Sequence, residues 1–265
     1  LHEVDPPPFT GGPKDGRDPR LAPARDHAQH GGGGGGLAFK QSMILAIDTS
    51  STLCAACLWH DGKELGRSVE DIGKGHAERL MAVIDAAFRQ AGKTYADVSQ
   101  VAVSIGPGSF TGIRVGVSAA RGLALALGVP AVGISTLAAI AEAARVDAPQ
   151  ARIIAAIDAK RDELYLADDA AGGTATMLNI GELASCTSGE APVLAGSGVS
   201  LVAAAFRDSG IEPAAIANET ATTADIAIYA RLAAKGRIAN SPPKPLYLRG
   251  PDAKPQQGFA LPRAQ

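Results

Sequence analysis

The chain has 265 residues, 46 % of them apolar, and its 25 basic and 27 acidic side chains leave a formal charge of -2. That length suits one large domain or two small ones with a real core. The near-neutral balance excludes a global field that would draw the protein to nucleic acid or an anionic membrane. No apolar run reaches the roughly 18 to 20 uncharged residues of a membrane span, and the N-terminus lacks the basic-then-apolar order of a signal peptide, so the sequence predicts a cytoplasmic protein.

Residues 1–42 stand apart from the rest. They hold 6 Pro and 9 Gly, end in the glycine run Gly31 to Gly36, and show no hydrophobic period. Such a stretch cannot offset its own ordering entropy. It begins at Leu1, whereas Met43 directly precedes an apolar strand, so we expect a disordered, non-native or mistranslated extension. His27 and His30 within it read as part of a solvated low-complexity segment rather than as metal ligands.

From Met43 onward the pattern is regular. Met43 to Ile47, Leu53 to Trp59 and Glu64 to Val69 read as three successive strands of an antiparallel meander, the last after the turn at residues 60–63. Leu80, Val83, Ile84, Ala87 and Phe88 recur at helical spacing and stop before Gly92, and Val98 to Ile105 returns to strand. A glycine-rich turn, Gly106 to Gly112, leads into a helix ending near Leu127, then a strand at Ala131 to Ile134 and a short helix around Leu137 to Ala144. The order βββαβαβα is followed by strands at Arg152 to Ile157, Glu163 to Ala167 and Val193 to Ala195, and by a late helix from Ala224 to Ala234. This predicts an α/β protein of two related lobes, residues 43–148 and 149–265, the second ending in a Pro-rich tail.

The three cysteines are too few for a disulfide framework. Cys54 and Cys57 form a CxxC, but within a strand positions i and i+3 face opposite sides, which suits neither a redox pair nor a zinc site. Two small buried hydrophobes are the plainer reading.

Two motifs could carry chemistry. Asp48-Thr49-Ser50-Ser51 closes the first strand, where an acid followed by hydroxyls can hold magnesium or hydrogen-bond a phosphate, or can simply start a hairpin. The second, Gly106-Pro107-Gly108-Ser109-Phe110-Thr111-Gly112-Ile113-Arg114-Val115-Gly116, is a strand-to-helix turn in which Thr111 is placed to cap a helix whose N-terminus suits an anion. It is not a Walker loop, because no lysine follows its last turn glycine. The helix beyond it carries Gly112, Gly116, Ala119, Ala120 and Ala124 on one side, which suits close approach of another backbone, either within the protein or across a subunit interface. Arg114 and Arg121 interrupt it as a transmembrane GxxxG segment. His60 and His76 are too far apart for an HxxxH or HExxH pair. His76 is expected at a partly exposed helix start, and the charged turn Asp158 to Glu163 at a solvated hairpin tip. Gly196-Ser197-Gly198 could approach a nucleotide.

In order along the chain, Ile44-Leu45-Ala46-Ile47-Asp48-Thr49-Ser50, His76-Ala77-Glu78-Arg79-Leu80, the Gly106 to Gly116 loop, Asp158-Ala159-Lys160-Arg161-Asp162-Glu163-Leu164-Tyr165 and Pro245-Leu246-Tyr247-Leu248-Arg249 resemble the TsaB family. The resemblance spans Met43 to Lys254. It implies an actin-like ATPase (ASKHA) fold of two RNase H-like lobes. It also implies a non-catalytic role in the tRNA threonylcarbamoyladenosine modification complex, binding the catalytic paralogue TsaD together with the ATPase TsaE. A homodimer when alone, tRNA contact only through the complex, no intrinsic cofactor and a nucleotide at the heterodimer interface are further implications.

On this reading Asp48, Thr49, Ser50, Gly106, Gly108, Ser109 and Thr111 are vestigial phosphate-type loops. His76, Arg79, Leu80, Val83, Gly112, Gly116, Ala119 and Ala120 are expected at the subunit interface. Thr136 and Ile140 stand where the paralogue carries its metal-binding histidines, and a hydroxyl and an aliphatic side chain cannot replace two imidazoles. The alternatives are a stand-alone ATPase or small-molecule kinase of the same fold, which Asp48 and the glycine turns keep open, and a metallopeptidase, for which the sequence offers no ligands.

Overall fold

The computed structural model describes residues 43–236 and 241–249. The expectation for residues 1–42 lies outside the described residues, as does the tail beyond Arg249. Strands β1 (Ile44–Asp48), β2 (Leu53–His60) and β3 (Lys63–Asp71) form the expected antiparallel meander. Strands β4 (Gln100–Gly106) and β5 (Ala131–Ser135) add in parallel, giving the order β3-β2-β1-β4-β5. All five residues of β1 are buried, which is why this strand reads as an unbroken apolar run rather than an alternating one.

A second sheet repeats the arrangement. Strands β6 (Ile153–Lys160), β7 (Glu163–Asp168) and β8 (Thr176–Asn179) are antiparallel, while β9 (Val193–Ala195) and β10 (Ala215–Ala217) run parallel to β6, in the order β10-β9-β6-β7-β8. Taken from β8 inward, this is the same sequence of roles as in the first sheet.

Among the described residues five α-helices cover the two sheets: α1 (His76–Ala91), α2 (Phe110–Leu127), α3 (Thr136–Arg145), α4 (Val199–Asp208) and α5 (Ile226–Lys235). Leu80, Val83, Ile84 and Phe88 of α1 join Ile113, Val117 and Ala120 of α2 on one face of the first sheet. The other face of that sheet is covered from far along the chain, by Ile226, Tyr229, Ala230 and Ala233 of α5. In the second sheet Val199, Val202 and Phe206 of α4 cover one face, and Leu137, Ile140 and Ala144 of α3 cover the other. The lobes therefore exchange covering helices. Where the two helices meet, Glu142 of α3 pairs with Lys235 and Arg231 of α5 at 2.7 and 3.4 Å.

Cys54 and Cys57 fall in the cores on opposite faces of the first sheet, as their spacing in a strand requires. Helix α2 is long and apolar enough to cross a membrane by length and composition. Here its buried side rests on the first sheet.

Candidate functional site

The acid-and-hydroxyl turn and the glycine loop meet, and each fills the other. Asp48 is 1 % exposed, and its Oδ1 accepts a 2.9 Å hydrogen bond from the Ser50 amide. The Thr49 hydroxyl donates to the Gly112 carbonyl at 2.7 Å, and the Ser109 amide donates to the Ser50 carbonyl at the same distance. Three glycines permit this approach. A Cβ on Gly108 would clash with the Ser50 carbonyl oxygen, one on Gly112 with the Thr49 carbonyl oxygen, and one on Gly116 with the Thr49 hydroxyl. The glycines make room for the chain's own backbone and the Thr49 hydroxyl.

Ser109, not Thr111, caps α2: its Oγ accepts from the Gly112 amide at 3.2 Å, and Thr111 is exposed. The second lobe repeats the close approach, since a Cβ on Gly196 would clash with the Ala156 carbonyl oxygen and one on Gly198 would meet Leu164 Cδ2 at 2.7 Å. Ser197 between them accepts from the Asp158 amide at 3.3 Å. The neighbouring tip at Lys160, Arg161 and Asp162 is exposed, with all three residues in the left-handed region.

The second carboxylate oxygen of Asp48 is bound from α5 and the segment before it. Thr223 Oγ1 donates to Asp48 Oδ2 at 2.6 Å, and the Thr223 and Tyr229 hydroxyls are 2.7 Å apart. Tyr229 is fully buried, and burial and the nearby Asp48 charge push its pKa up. The Ser50, Thr136 and Thr223 hydroxyls act in the opposite direction. Of these, Ser50 Oγ and Thr136 Oγ1 are buried without a hydrogen-bond partner of ordinary geometry. Sequence periodicity could not find Thr223 and Tyr229, because Ile226, Tyr229, Ala230 and Ala233 form a plain apolar stripe in which the tyrosine counts as core.

Both oxygens of Asp48 are taken, and the glycine cradle holds the Ser50 carbonyl. Thr136 and Ile140 lie one turn apart on the buried side of α3. Among the described residues no group of three or more His, Cys, Asp or Glu could hold a metal ion.

The residues expected at an interface divide. His76, Leu80, Val83, Gly112, Gly116 and Ala120 are buried within their own lobe. In the chain by itself their small or apolar side chains take part in the lobe's own packing. His76 is 7 % exposed rather than a surface imidazole, and its Nε2 lies 3.1 Å from the Leu53 carbonyl oxygen. Ala119 is half-buried. Arg79 is exposed and chelates Glu70.

What the two helices present outward is a different set. On α1 it includes Ala77, Met81, Ala82 and Asp85, and on α2 Arg114, Ser118, Arg121, Gly122 and Leu125. Leu125 is 85 % exposed. At the N-terminal end of α2, Phe110 packs against Tyr247 with ring centroids 5.6 Å apart. The Arg114 guanidinium lies 3.7 Å from the Phe110 ring centroid, and its Nε donates to the Tyr247 hydroxyl at 2.7 Å. Tyr247 is held there by the returning tail: the Leu246 amide donates to the Ile105 carbonyl at 2.8 Å, and Arg249 pairs with Glu163.

Comparison with known proteins gives these surfaces a family. The model of the TsaD family, tRNA N6-adenosine threonylcarbamoyltransferase, matches residues 69–240. YeaZ from Pseudomonas aeruginosa superposes with a TM-score of 0.60 at 30 % identity, over 78 % of this chain and 100 % of that one. The chain belongs to the TsaB (YeaZ) family. Its fold is accordingly the actin-like one, with two mixed sheets flanked by helices.

The tRNA threonylcarbamoyladenosine biosynthesis protein TsaB of Escherichia coli is 38 % identical over 125 residues, which is 47 % of this chain and 54 % of that protein. The chain thus matches about half the length of that relative. An uncharacterised protein of Mycobacterium tuberculosis is 35 % identical over 216 residues, 81 % of this chain and 95 % of its own length.

Proposed function

We propose that the chain is a cytoplasmic accessory subunit in tRNA threonylcarbamoyladenosine biosynthesis, which binds a TsaD-like catalytic paralogue and does no transferase chemistry itself. The TsaE-like ATPase joins the same assembly, and any nucleotide is held where the two paralogues meet. One observation carries the non-catalytic part: the acid that would serve a cation is 1 % exposed and has both oxygens engaged by the protein. That geometry also weighs against a stand-alone ATPase or small-molecule kinase, since either must open Asp48 at every turnover. For the docking face, support comes from the outer sides of α1 and α2 with the Phe110, Arg114 and Tyr247 cluster, because exposed aromatic and arginine side chains of this kind are typical interface anchors.

The test is co-purification of the full chain with a TsaD-like subunit, followed by transfer assays on tRNA. We expect a stoichiometric complex and no transfer by the chain alone. Failure to form any complex, or transfer without a partner, would sink this reading.

A further inference from the structure

The two sheets are built alike, but their covers differ. In the first lobe the link from the edge strand β3 to β4 carries α1, a helix of 16 residues. It lies so close to β3 that a Cβ on Gly66 would meet the Ala87 carbonyl oxygen at 2.6 Å. In the second lobe the matching link, from the edge strand β8 to β9, carries only the 3-10 helix Ile180–Cys186, 7 residues long. Its Ile180, Leu183 and Cys186 join α4 over that sheet. Beside them the sheet face opens into a cavity of about 550 Å³, floored by Leu166, Thr176 and Leu178 and walled by Arg152, Cys186 and Glu190. Thr176 stands opposite Leu166, and Leu178 opposite Leu164, so these side chains share one face of the sheet.

The charge around this cavity has one sign. From Asp162 to Phe206 the chain carries 6 acids and no lysine, arginine or histidine. Arginines from outside that stretch, Arg249, Arg152 and Arg145, pair with Glu163, Asp168 and Asp169, while Glu182 and Glu190 stay exposed. Arg152 is spent on Asp168 and on the carbonyls of Cys186, Ser188 and Glu190, so it brings no free proton to the Glu190 carboxylate.

We propose that this cavity is a docking site for a basic amphipathic helix of another protein, which lays its apolar side chains over Leu166 and Leu178 and its lysines or arginines beside Glu182 and Glu190. The internal repeat favours a helix, because a helix covers the corresponding place in the first lobe. An added strand would pair with the edge of β8, whereas the cavity opens on the face of the sheet. The acidic rim selects a basic partner and steers its approach. This site goes beyond capture of a TsaD-like subunit through α1 and α2, which belong to the other lobe, and neither contact depends on the other.

The probe is a synthetic helix of alanine, leucine and lysine with its leucines on one face, beside a counterpart with glutamate in place of lysine. Cys186, half-exposed in the cavity wall, reports occupancy through its rate of alkylation in the full chain. The lysine peptide is expected to bind saturably and to slow alkylation about tenfold, and the glutamate peptide to do neither. Thr176→Trp, which fills the cavity from an exposed position on β8, and Glu190→Lys are each expected to weaken binding about tenfold. Leu125→Asp on α2 should leave it unchanged. Equal binding of the two peptides, binding that does not protect Cys186, or full affinity in both cavity variants overturns the proposal. So does protection of Cys186 that grows with the concentration of the chain alone, which would seat a second copy there, or protection in the free chain that is lost on removing residues 250–265, which would seat the chain's own segment. Failure to capture a TsaD-like subunit moves none of these readouts.

Discussion

Gly112 and Thr49 touch through their backbones: the α-carbon of Gly112 lies so near the Thr49 carbonyl oxygen that no β-carbon fits between them. The Thr49 hydroxyl then closes the contact by donating to the Gly112 carbonyl. Gly112→Ala must push α2 off the turn after β1 and is expected to destabilise the chain by about 3 kcal/mol, at the upper end of overpacking effects. Gly122, on the outer side of the same helix, has nothing within 4 Å of the position of its missing Cβ. Gly122→Ala is therefore expected to stabilise the isolated chain by about 0.5–1 kcal/mol through helix propensity. Urea denaturation of the two variants checks the pair, and similar losses at both positions would contradict this account.

The docking face can be probed only with residues that face outward. Gly116→Leu, an obvious choice from the run of small residues, would collide with Thr49 and is expected to abolish folding. Leu125→Asp and Phe110→Ala alter exposed side chains and should leave far-UV circular dichroism and melting intact. Each is expected to weaken capture of the TsaD-like subunit roughly tenfold or more, the size typical of an anchor residue. Unchanged affinity for both, measured by calorimetry, would remove α2 from the interface.

The thiols give a prediction in pH. Burial pushes the Cys54 pKa up to about 11 from 9.0, with Glu70 and Asp48 adding to the rise, and burial pushes Cys57 up further still. Both thiols are thus held neutral by the fold. Because the folded-state pKa lies above the unfolded one, their contribution to stability is complete below about pH 9 and is lost as pH rises towards about 11. We expect the denaturation midpoint to fall over that alkaline window, and less steeply in Cys54→Ala. In the native protein at neutral pH a thiol reagent should label Cys186, which is half-exposed, and spare the other two.

Arg152 anchors the second lobe. Its Nε and Nη2 donate to the two oxygens of Asp168 at 3.1 and 2.5 Å, and its remaining protons reach the carbonyls of Cys186, Ser188 and Glu190. Both side chains of the pair are 10 % exposed. Arg152→Ala leaves the Asp168 charge with little water to solvate it and is expected to cost about 3 kcal/mol. Arg152→Lys should recover only part of this, because an ammonium cannot bridge the carboxylate and three carbonyls at once. Faster exchange limited to residues 185–190 would mark the loop that the guanidinium pins.

The sequence carried the strands and helices with the clearest periods, and the structure shows why the others were missed. β8 and β10 are short and largely exposed, with few inward residues to set a period. Helix α4 follows Gly198 without a side-chain cap, so the start signal at its N-terminus is absent. The glycine loop was visible as a close-approach device, but whether it meets a phosphate or a backbone depends on the Thr49 and Ser50 carbonyls, which no residue type encodes. The inward turn of Gly116 and Ala120 was hidden for a related reason: small residues suit an internal contact and an external one equally well. Thr223 and Tyr229 lie far along the chain from Asp48, and a tyrosine in an apolar stripe gives no sign that its hydroxyl is engaged.

The exchange of covering helices also bears on synthesis at the ribosome. Ile44, Ala46 and Cys57 line a sheet face that is finished early, but most of its cover, Ile226, Tyr229, Ala230 and Ala233, arrives with α5. At a translation rate of about 5–20 residues per second, that apolar face waits several seconds for its cover. A nascent chain arrested before α5 is therefore expected to be a chaperone client, and a gene fragment ending after β5 should yield insoluble protein although it encodes a complete five-stranded sheet.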